Sequence, residues 1–169
     1  MRSALVLTAS DRSAAGERED ASGLAVAERL EGLGFSVERR IVADEQSLIE
    51  AALREATGRH HLVVTTGGTG LTPRDVTPQA TRAVIDYDVP GLGEAMRTAG
   101  RAKTPMADLS RGIAGVARGS LIVNLPGSPK GAAESFDAIA PVLDHALEML
   151  GGPFDHAGFV QPAAIEDAR

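Results

Sequence analysis

Between Leu62 and Thr77 the chain reads L-V-V-T-T-G-G-T-G-L-T-P-R-D-V-T, a run whose residue types are suited to holding an anion. Gly67, Gly68 and Gly70 tolerate backbone conformations that let successive N–H groups point into one hollow, and such a hollow is most often a phosphate site. Thr65, Thr66, Thr69 and Thr72 add hydroxyl donors, and Arg74 adds a fixed positive charge. Asp75 supplies a carboxylate where a divalent cation can be held against phosphate. The run matches neither of the two best-known phosphate fingerprints. No Lys stands between Leu62 and Thr77 for a P-loop, and G-G-T-G-L-T does not meet G-x-G-x-x-G. Taken alone, the glycines are equally explained by a tight strand-to-helix turn. The R-D pair behind them favours the chemistry of a bound polyphosphate.

The elements that position this loop follow from the hydrophobic pattern. Ala4 to Ala9 is an unbroken apolar run ending at Ser10-Asp11, as expected of a parallel strand covered on both faces. Val26, Leu30 and Leu33 give a helical stripe closed by Gly34, and at its start Asp20 or Ser22 either caps the helix or meets a ligand. Phe35 to Val42 alternates and carries charges, which predicts a strand nearer the sheet edge. Leu48, Ile49, Ala52, Leu53 and Ala56 mark the next helix, closed by Gly58, with Asp44 at its N-terminus as either a cap or a chemical group. His60 and His61 lack a spaced third ligand and are read as solvated or structural.

Beyond the glycine loop, Thr77-Pro78 opens a short helix to about Ile85, and Gly91 to Ala99 is a second helical candidate. Gly100 to Leu109 is a surface connection or a lid. Ser120 to Asn124 is a fourth apolar strand that leads into Leu125-Pro-Gly-Ser-Pro-Lys-Gly131. Phe136, Ile139, Ala140, Leu143, Leu147 and Leu150 then keep helical spacing, with Pro141 expected to kink or split the helix. Residues 1–150 form the domain, and from Gly151 periodicity is lost and a loosely held tail to Arg169 is expected.

Strands alternating with helices predict an α/β protein, an open, mainly parallel sheet with helices on both faces. Ligands then bind outside the carboxyl ends of the strands, where Ser10-Asp11, Asp44-Glu45, Gly67 to Asp75 and Asn124 to Gly131 all fall. Asp44 and Asp75 placed about 5 Å apart would repel by roughly 3 kcal/mol at an effective dielectric near 20. Such a pair needs a shared proton or a cation, and beside a phosphate cradle Mg²⁺ is favoured, because it binds through one or two carboxylates together with substrate phosphates.

Composition bounds the alternatives. The chain has 169 residues, no Cys and a formal net charge of −6. That excludes thiol chemistry and thiolate metal sites, and it argues against nucleic acid or an anionic membrane as partner. The longest apolar run is far too short to span a membrane, and a cytoplasmic location is expected.

Several stretches together resemble the molybdopterin adenylyltransferase family of molybdenum-cofactor biosynthesis, the MogA/MoaB type. They are T-A-S-D-R at Thr8 to Arg12, G-E-R-E-D-A-S-G at Gly16 to Gly23, A-D-E at Ala43 to Glu45, T-T-G-G-T-G-L-T-P-R-D-V-T-P at Thr65 to Pro78, L-S-R-G-I-A-G at Leu109 to Gly115, and N-L-P-G-S-P-K-G at Asn124 to Gly131. The resemblance implies a MogA-like molybdopterin-binding fold, usually a homotrimer and sometimes a hexamer, that transfers AMP from Mg-ATP to the terminal phosphate of molybdopterin and hands the product to a molybdate-inserting enzyme. It also implies that Asp44 and Asp75 are the family's essential aspartates, holding Mg²⁺ and orienting phosphates. Substrate contacts are expected from Ser10, Asp11, Ser22, Gly23, Thr65, Thr66, Gly67, Gly68, Thr69 and Gly70, with Ser110, Arg111, Gly127 and Ser128 on the pterin-phosphate side. The alternatives are a MoaB-like protein that binds molybdopterin without catalysis, or a structural assembly module.

Overall fold

The computed structural model describes residues 1–152. Its centre is a six-stranded sheet made of β1 (Ser3–Ala9), β2 (Ser36–Val42), β3 (Leu62–Thr66), β4 (Tyr87–Asp88), β5 (Ala114–Ala117) and β6 (Ser120–Leu125), in the order β2-β1-β3-β6-β5-β4. The first four strands in that order run parallel, and β5 and β4 extend the sheet antiparallel. The helices are α1 (Asp11–Ala14), α2 (Ala21–Gly32), α3 (Gln46–Ala56), α4 (Thr77–Arg82), α5 (Pro90–Arg101) and α6 (Pro129–Gly151), with a 3₁₀ turn at Pro105–Leu109.

The unbroken apolar runs are explained by a core on each side of the sheet. Ala4, Val6, Leu62, Val64, Leu121 and Val123 face α2, α5 and α6, where Val26, Leu30, Met96, Phe136, Ile139 and Leu143 close one core. Leu5, Leu7, Val63 and Ile122 face the other way, onto Ile49, Ala52 and Leu53 of α3 and Ala80 of α4. Because side chains alternate along a strand, a strand buried on both faces reads as a nearly continuous apolar run, and its few buried polar side chains, such as Thr65 and Asn124, bond each other. The α/β class with helices on both faces is therefore borne out, and β2 is an edge strand, as its mixed pattern predicts.

Several local expectations need correction. Leu33 and Leu48, read as stripe residues, are exposed at 54% and 48%, since each lies at a helix end past the contact with the sheet. The helix after Pro78 ends at Arg82, short of Ile85. Pro141 does not split α6, which runs unbroken as Phe136, Ile139, Leu143 and Leu147 are all held in the core on both sides of it. Pro removes only its own amide bond from the helix ladder, and burial on either flank outweighs that loss. The Gly100 to Leu109 connection contains the 3₁₀ turn. Gly151 is the last residue of α6, and the rest of the expected tail, 153–169, lies outside the described residues.

Topology determines where a ligand can sit. From β1 the chain moves to one side to form β2, then crosses by α3 to form β3 on the other side of β1. The strand order reverses there, so the connections after β1 and β3 diverge and leave a crevice at the carboxyl ends. The parallel register pairs Ala9 with Val42, and Thr8 and Leu125 with Thr66, so all four strand ends reach one edge together.

Candidate functional site

Two chambers open at this edge, separated by the glycine loop. The first, about 450 Å³, is polar and lies at the switch point between β1 and β3. Of the residues singled out from sequence, Ser10, Ser22, Asp44, Thr66, Gly67, Gly68, Asp75, Gly127 and Ser128 line it. The second, about 310 Å³, lies between α5, the 3₁₀ turn and the start of α6, and takes Thr69, Gly70, Ser110 and, again, Ser128. Asp11, Gly23, Thr65 and Arg111 line neither.

The loop is held in shape from below. Gly67 has φ +89°, and a Cβ there would stand 2.3 Å from the Ala9 carbonyl oxygen. Gly68 has φ +66°, and a Cβ would meet the buried Thr77 hydroxyl at 2.2 Å. These two positions require glycine, both for backbone conformation and for the close approach of β1 and α4. Arg111 braces the loop from the second chamber's side: its amide donates to the Thr69 carbonyl at 2.9 Å and its Nε to the Gly70 carbonyl at 2.8 Å, while a second guanidinium nitrogen bonds the Asp75 carbonyl. Its charge is spent on backbone carbonyls, so it acts as a support for the loop. Thr65 is likewise internal, its hydroxyl accepting from the Asn124 amide at 3.0 Å.

The acidic side of the first chamber is a network. Asp11 and Asp44 bond reciprocally, each backbone N–H donating to the other's carboxylate at 2.9 Å. Asp44 therefore does not cap α3, whose cap residue is Glu45 without a side-chain bond. Arg74, expected to meet phosphate, instead lays its guanidinium across both Asp11 oxygens and reaches Glu45 at 3.0 Å, which raises its pKa further above the usual range. The same Arg74 bond, with the Asp44 amide, holds the Asp11 carboxyl below the ordinary carboxylate value. Asp20 is the residue that caps α2, through the Gly23 amide at 2.9 Å, and it also accepts from Thr8 and pairs with Arg39. Ser22 donates to the Thr66 hydroxyl at 3.2 Å.

The two candidate catalytic carboxylates differ. Burial opposes ionisation of Asp75, but the hydroxyl and amide of Thr72, the Gly70 amide and Arg111 outweigh it, and its pKa falls below normal. The Thr72 bonds both land on Oδ2, at 2.7 and 2.8 Å, so this carboxylate also shapes its own loop. Asp44 goes the other way: burial raises its pKa, and the charges of Asp11 and Asp75 add to that against the Asp11 amide and Arg74. A raised folded-state value means that the carboxyl group stabilises the fold at pH below about 3.9, and that this is lost as pH rises through the folded-state pKa. Asp44→Asn stays neutral and keeps an acceptor for the Asp11 amide. In magnesium-free buffer at pH 7 it is expected to raise Tm by roughly 1–3 °C, allowing for solvent screening, with the gain shrinking toward pH 4. Thermal melts across that range measure it, and an unchanged or lower Tm at pH 7 contradicts the assignment.

An acid under like-charge pressure at the edge of a polar chamber suits a cation. Among the described residues no group of three or more His, Asp or Glu could hold a metal by itself. Mg²⁺ commonly takes one or two carboxylates together with substrate phosphates, and a pair of carboxylates is a donor set of that kind.

Some lining residues carry no site signature of their own in the sequence. Arg18 and Glu19 line the first chamber, although their motif G-E-R-E-D was visible. Met96, Arg97 and Glu134 line the second and sit within helical stripes, where nothing in the spacing separates a cavity wall from a core or solvent face.

Known proteins share this chain's sequence and fold. A family model described as a probable molybdopterin binding domain matches residues 5–145. The chain is 44% identical over 156 residues to the molybdopterin adenylyltransferase of Helicobacter pylori strain J99, with 88% of each protein covered. It is 36% identical over 166 residues to the Escherichia coli K12 protein of the same name, covering 88% of this chain and 85% of that one. Among solved structures it resembles the molybdopterin biosynthesis enzyme MoaB of Thermus thermophilus, with 52% identity, a TM-score of 0.85 and coverage of 90% of this chain and 99% of that one. The Mog protein of Mycobacterium ulcerans is similar at 46% identity and a TM-score of 0.85, over 89% and 99% of the two chains.

Proposed function

The chain belongs to the family of probable molybdopterin binding domains, and from that premise we propose that it adenylylates molybdopterin with ATP in molybdenum-cofactor biosynthesis. The relatives named molybdopterin adenylyltransferase support this reading. The observation that carries it is the meeting of Asp44 and Asp75 in one polar chamber with the Gly67-Gly68 turn and the first residues of α6.

In the proposed reaction an oxygen of the terminal phosphate of molybdopterin forms a bond to the α-phosphorus of ATP. The bond from that phosphorus to the bridging oxygen breaks, and pyrophosphate leaves with the electron pair. The protein's part is to hold the two phosphates in line and to balance charge as it moves toward the leaving group. The glycine turn offers backbone amides without side-chain bulk, and the start of α6 at Ser128 brings a helix N-terminus, which favours phosphate. Arg18 adds positive charge to the chamber wall, while Arg74 is held by Asp11 and Glu45. Asp44 and Asp75 would hold Mg²⁺, which when bound supplies positive charge to the triphosphate. Ser110 and Ser128, on the second chamber, take the pterin side of molybdopterin. The assembly belonging to this reading is a homotrimer or a hexamer, working in the cytoplasm beside a molybdate-inserting enzyme.

Purified protein given molybdopterin and Mg-ATP is expected to release pyrophosphate and form adenylylated molybdopterin, detected by a coupled phosphate assay and mass spectrometry. Molybdopterin binding without pyrophosphate at any magnesium or ATP concentration would make the chain a MoaB-like binding protein instead.

A further inference from the structure

The second chamber has a feature that phosphate chemistry does not use. Its wall is largely apolar, from Met96, Met106, Ala107, Leu109 and Pro126, yet it includes Glu134 on α6. Arg97 is the other charged residue of that wall, and it is committed to the backbone, bonding the Gly112 carbonyl at 2.9 Å. The amide of Asn124 is turned inward onto Thr65 and Thr81, and the Ser110 hydroxyl accepts from the Gly112 amide. Glu134 is thus the wall's one carboxylate among the described residues, its side chain 26% exposed, with Lys103 Nζ on Oε1 at 2.8 Å.

A carboxylate accepts hydrogen bonds and cannot donate them when ionised. In an apolar chamber it selects a ring that offers N–H groups, and two adjacent N–H groups pair with it best. A 2-amino-4-oxopteridine has that edge, the exocyclic amine beside the ring N3–H. Adenine sets its amine between ring acceptors and offers no such pair. Met96, Met106 and Leu109 line the chamber and are side chains suited to a flat ring, and Met106 and Leu109 are exposed, at 63% and 50%.

We propose that Glu134 is the residue that reads the pterin, its carboxylate accepting from the 2-amino and N3–H groups of a 2-amino-4-oxopteridine lying between the 3₁₀ turn and α6. This rests on molybdopterin being the substrate. Lys103 keeps the carboxylate turned along the chamber wall and ties the Gly100 to Leu109 connection to α6. Glu134 determines specificity and takes no part in the phosphoryl chemistry, which lies across the glycine loop.

The test uses the full chain and two fluorescent probes, 6-hydroxymethylpterin and 6-hydroxymethyllumazine, the second having a carbonyl in place of the 2-amino group. Wild type is expected to bind the pterin at least about 10-fold more tightly, since a site built to accept an N–H group rejects the analogue lacking it. Glu134→Gln, isosteric and melting at the wild-type temperature, is expected to reduce the ratio to near one. With molybdopterin and ATP it should raise the molybdopterin KM about 10-fold and leave the ATP KM and kcat within about threefold. Lys103→Met should keep the pterin preference, which separates reading from the mere anchoring of the connection. A preference retained in Glu134→Gln, a rise in the ATP KM instead, or wild type that binds neither pteridine overturns the proposal. Pterin preference in a protein that releases no pyrophosphate leaves Glu134 as the reader and removes the proposed reaction.

Discussion

Asp75→Asn is expected to lower kcat for pyrophosphate release by about 10²–10³-fold, the usual scale for removing one preorganised electrostatic contact in a phosphoryl or acyl transfer site. The carboxylate has two duties that the substitution separates. Its Oδ2 accepts from the amide and hydroxyl of Thr72, which shapes the loop, and an Asn oxygen can accept the same pair. What Asn lacks is the negative charge, which the Thr72, Gly70 and Arg111 contacts keep ionised below the normal carboxylate range. Loss of rate with little change in molybdopterin affinity or Tm therefore assigns the charge to catalysis. Asp75→Ala should lose rate and loop together, with a lower Tm and weaker binding. Wild-type turnover in Asp75→Asn would end the assignment of this residue, because no neighbour in the chamber can replace its charge at the same place.

The second large effect is on folding. Gly67→Ala is expected to cost on the order of 3 kcal/mol, combining the left-handed backbone penalty with a Cβ forced onto a backbone atom. The Ala9 carbonyl oxygen lies 2.3 Å from where that Cβ would stand, at the end of a strand buried on both faces, so neither partner can move aside cheaply. Urea melts should show the midpoint falling with an unchanged slope, and Tm dropping by roughly 6–12 °C. Gly68→Ala should be milder. The atom it meets is the Thr77 hydroxyl, the end of a side chain without a hydrogen-bond partner. Equal losses at the two positions would mean that conformation alone, and not the approach to β1, makes the loop require glycine.

Much of this was legible in the chain. Two-sided burial leaves a plain mark, and the runs at Ala4, Leu62 and Ser120 announced the central strands because they are apolar on both faces, with the buried polar residues Thr8, Thr65, Thr66, Ser120 and Asn124 confined to the strand ends. β4 and β5 were not read as strands. The first is two residues long, and the second is a short Ala-Gly-Val-Ala run whose hairpin turn, Arg118-Gly119, has positive φ at both residues in place of an obvious Asn-Gly. The helix α1 is a single turn capped by Ser10 and has no room for a hydrophobic stripe.

Order along the chain determined the residue types at each strand end, and with them the α/β class, the glycine turn and the company of Asp44 and Asp75. Strand ends share an edge in any parallel sheet, so that much needs no coordinates. Tertiary structure alone decided which polar groups remain available. Arg74 is drawn to Asp11 and Glu45, Arg111 to loop carbonyls, and Thr65 to Asn124, all partners distant in sequence. It also set Glu134 beside the loop's far side, making one expected crevice into two chambers. Hydrogen bonds form between groups that folding brings together, and a list of residues carries no record of which donors have already been used.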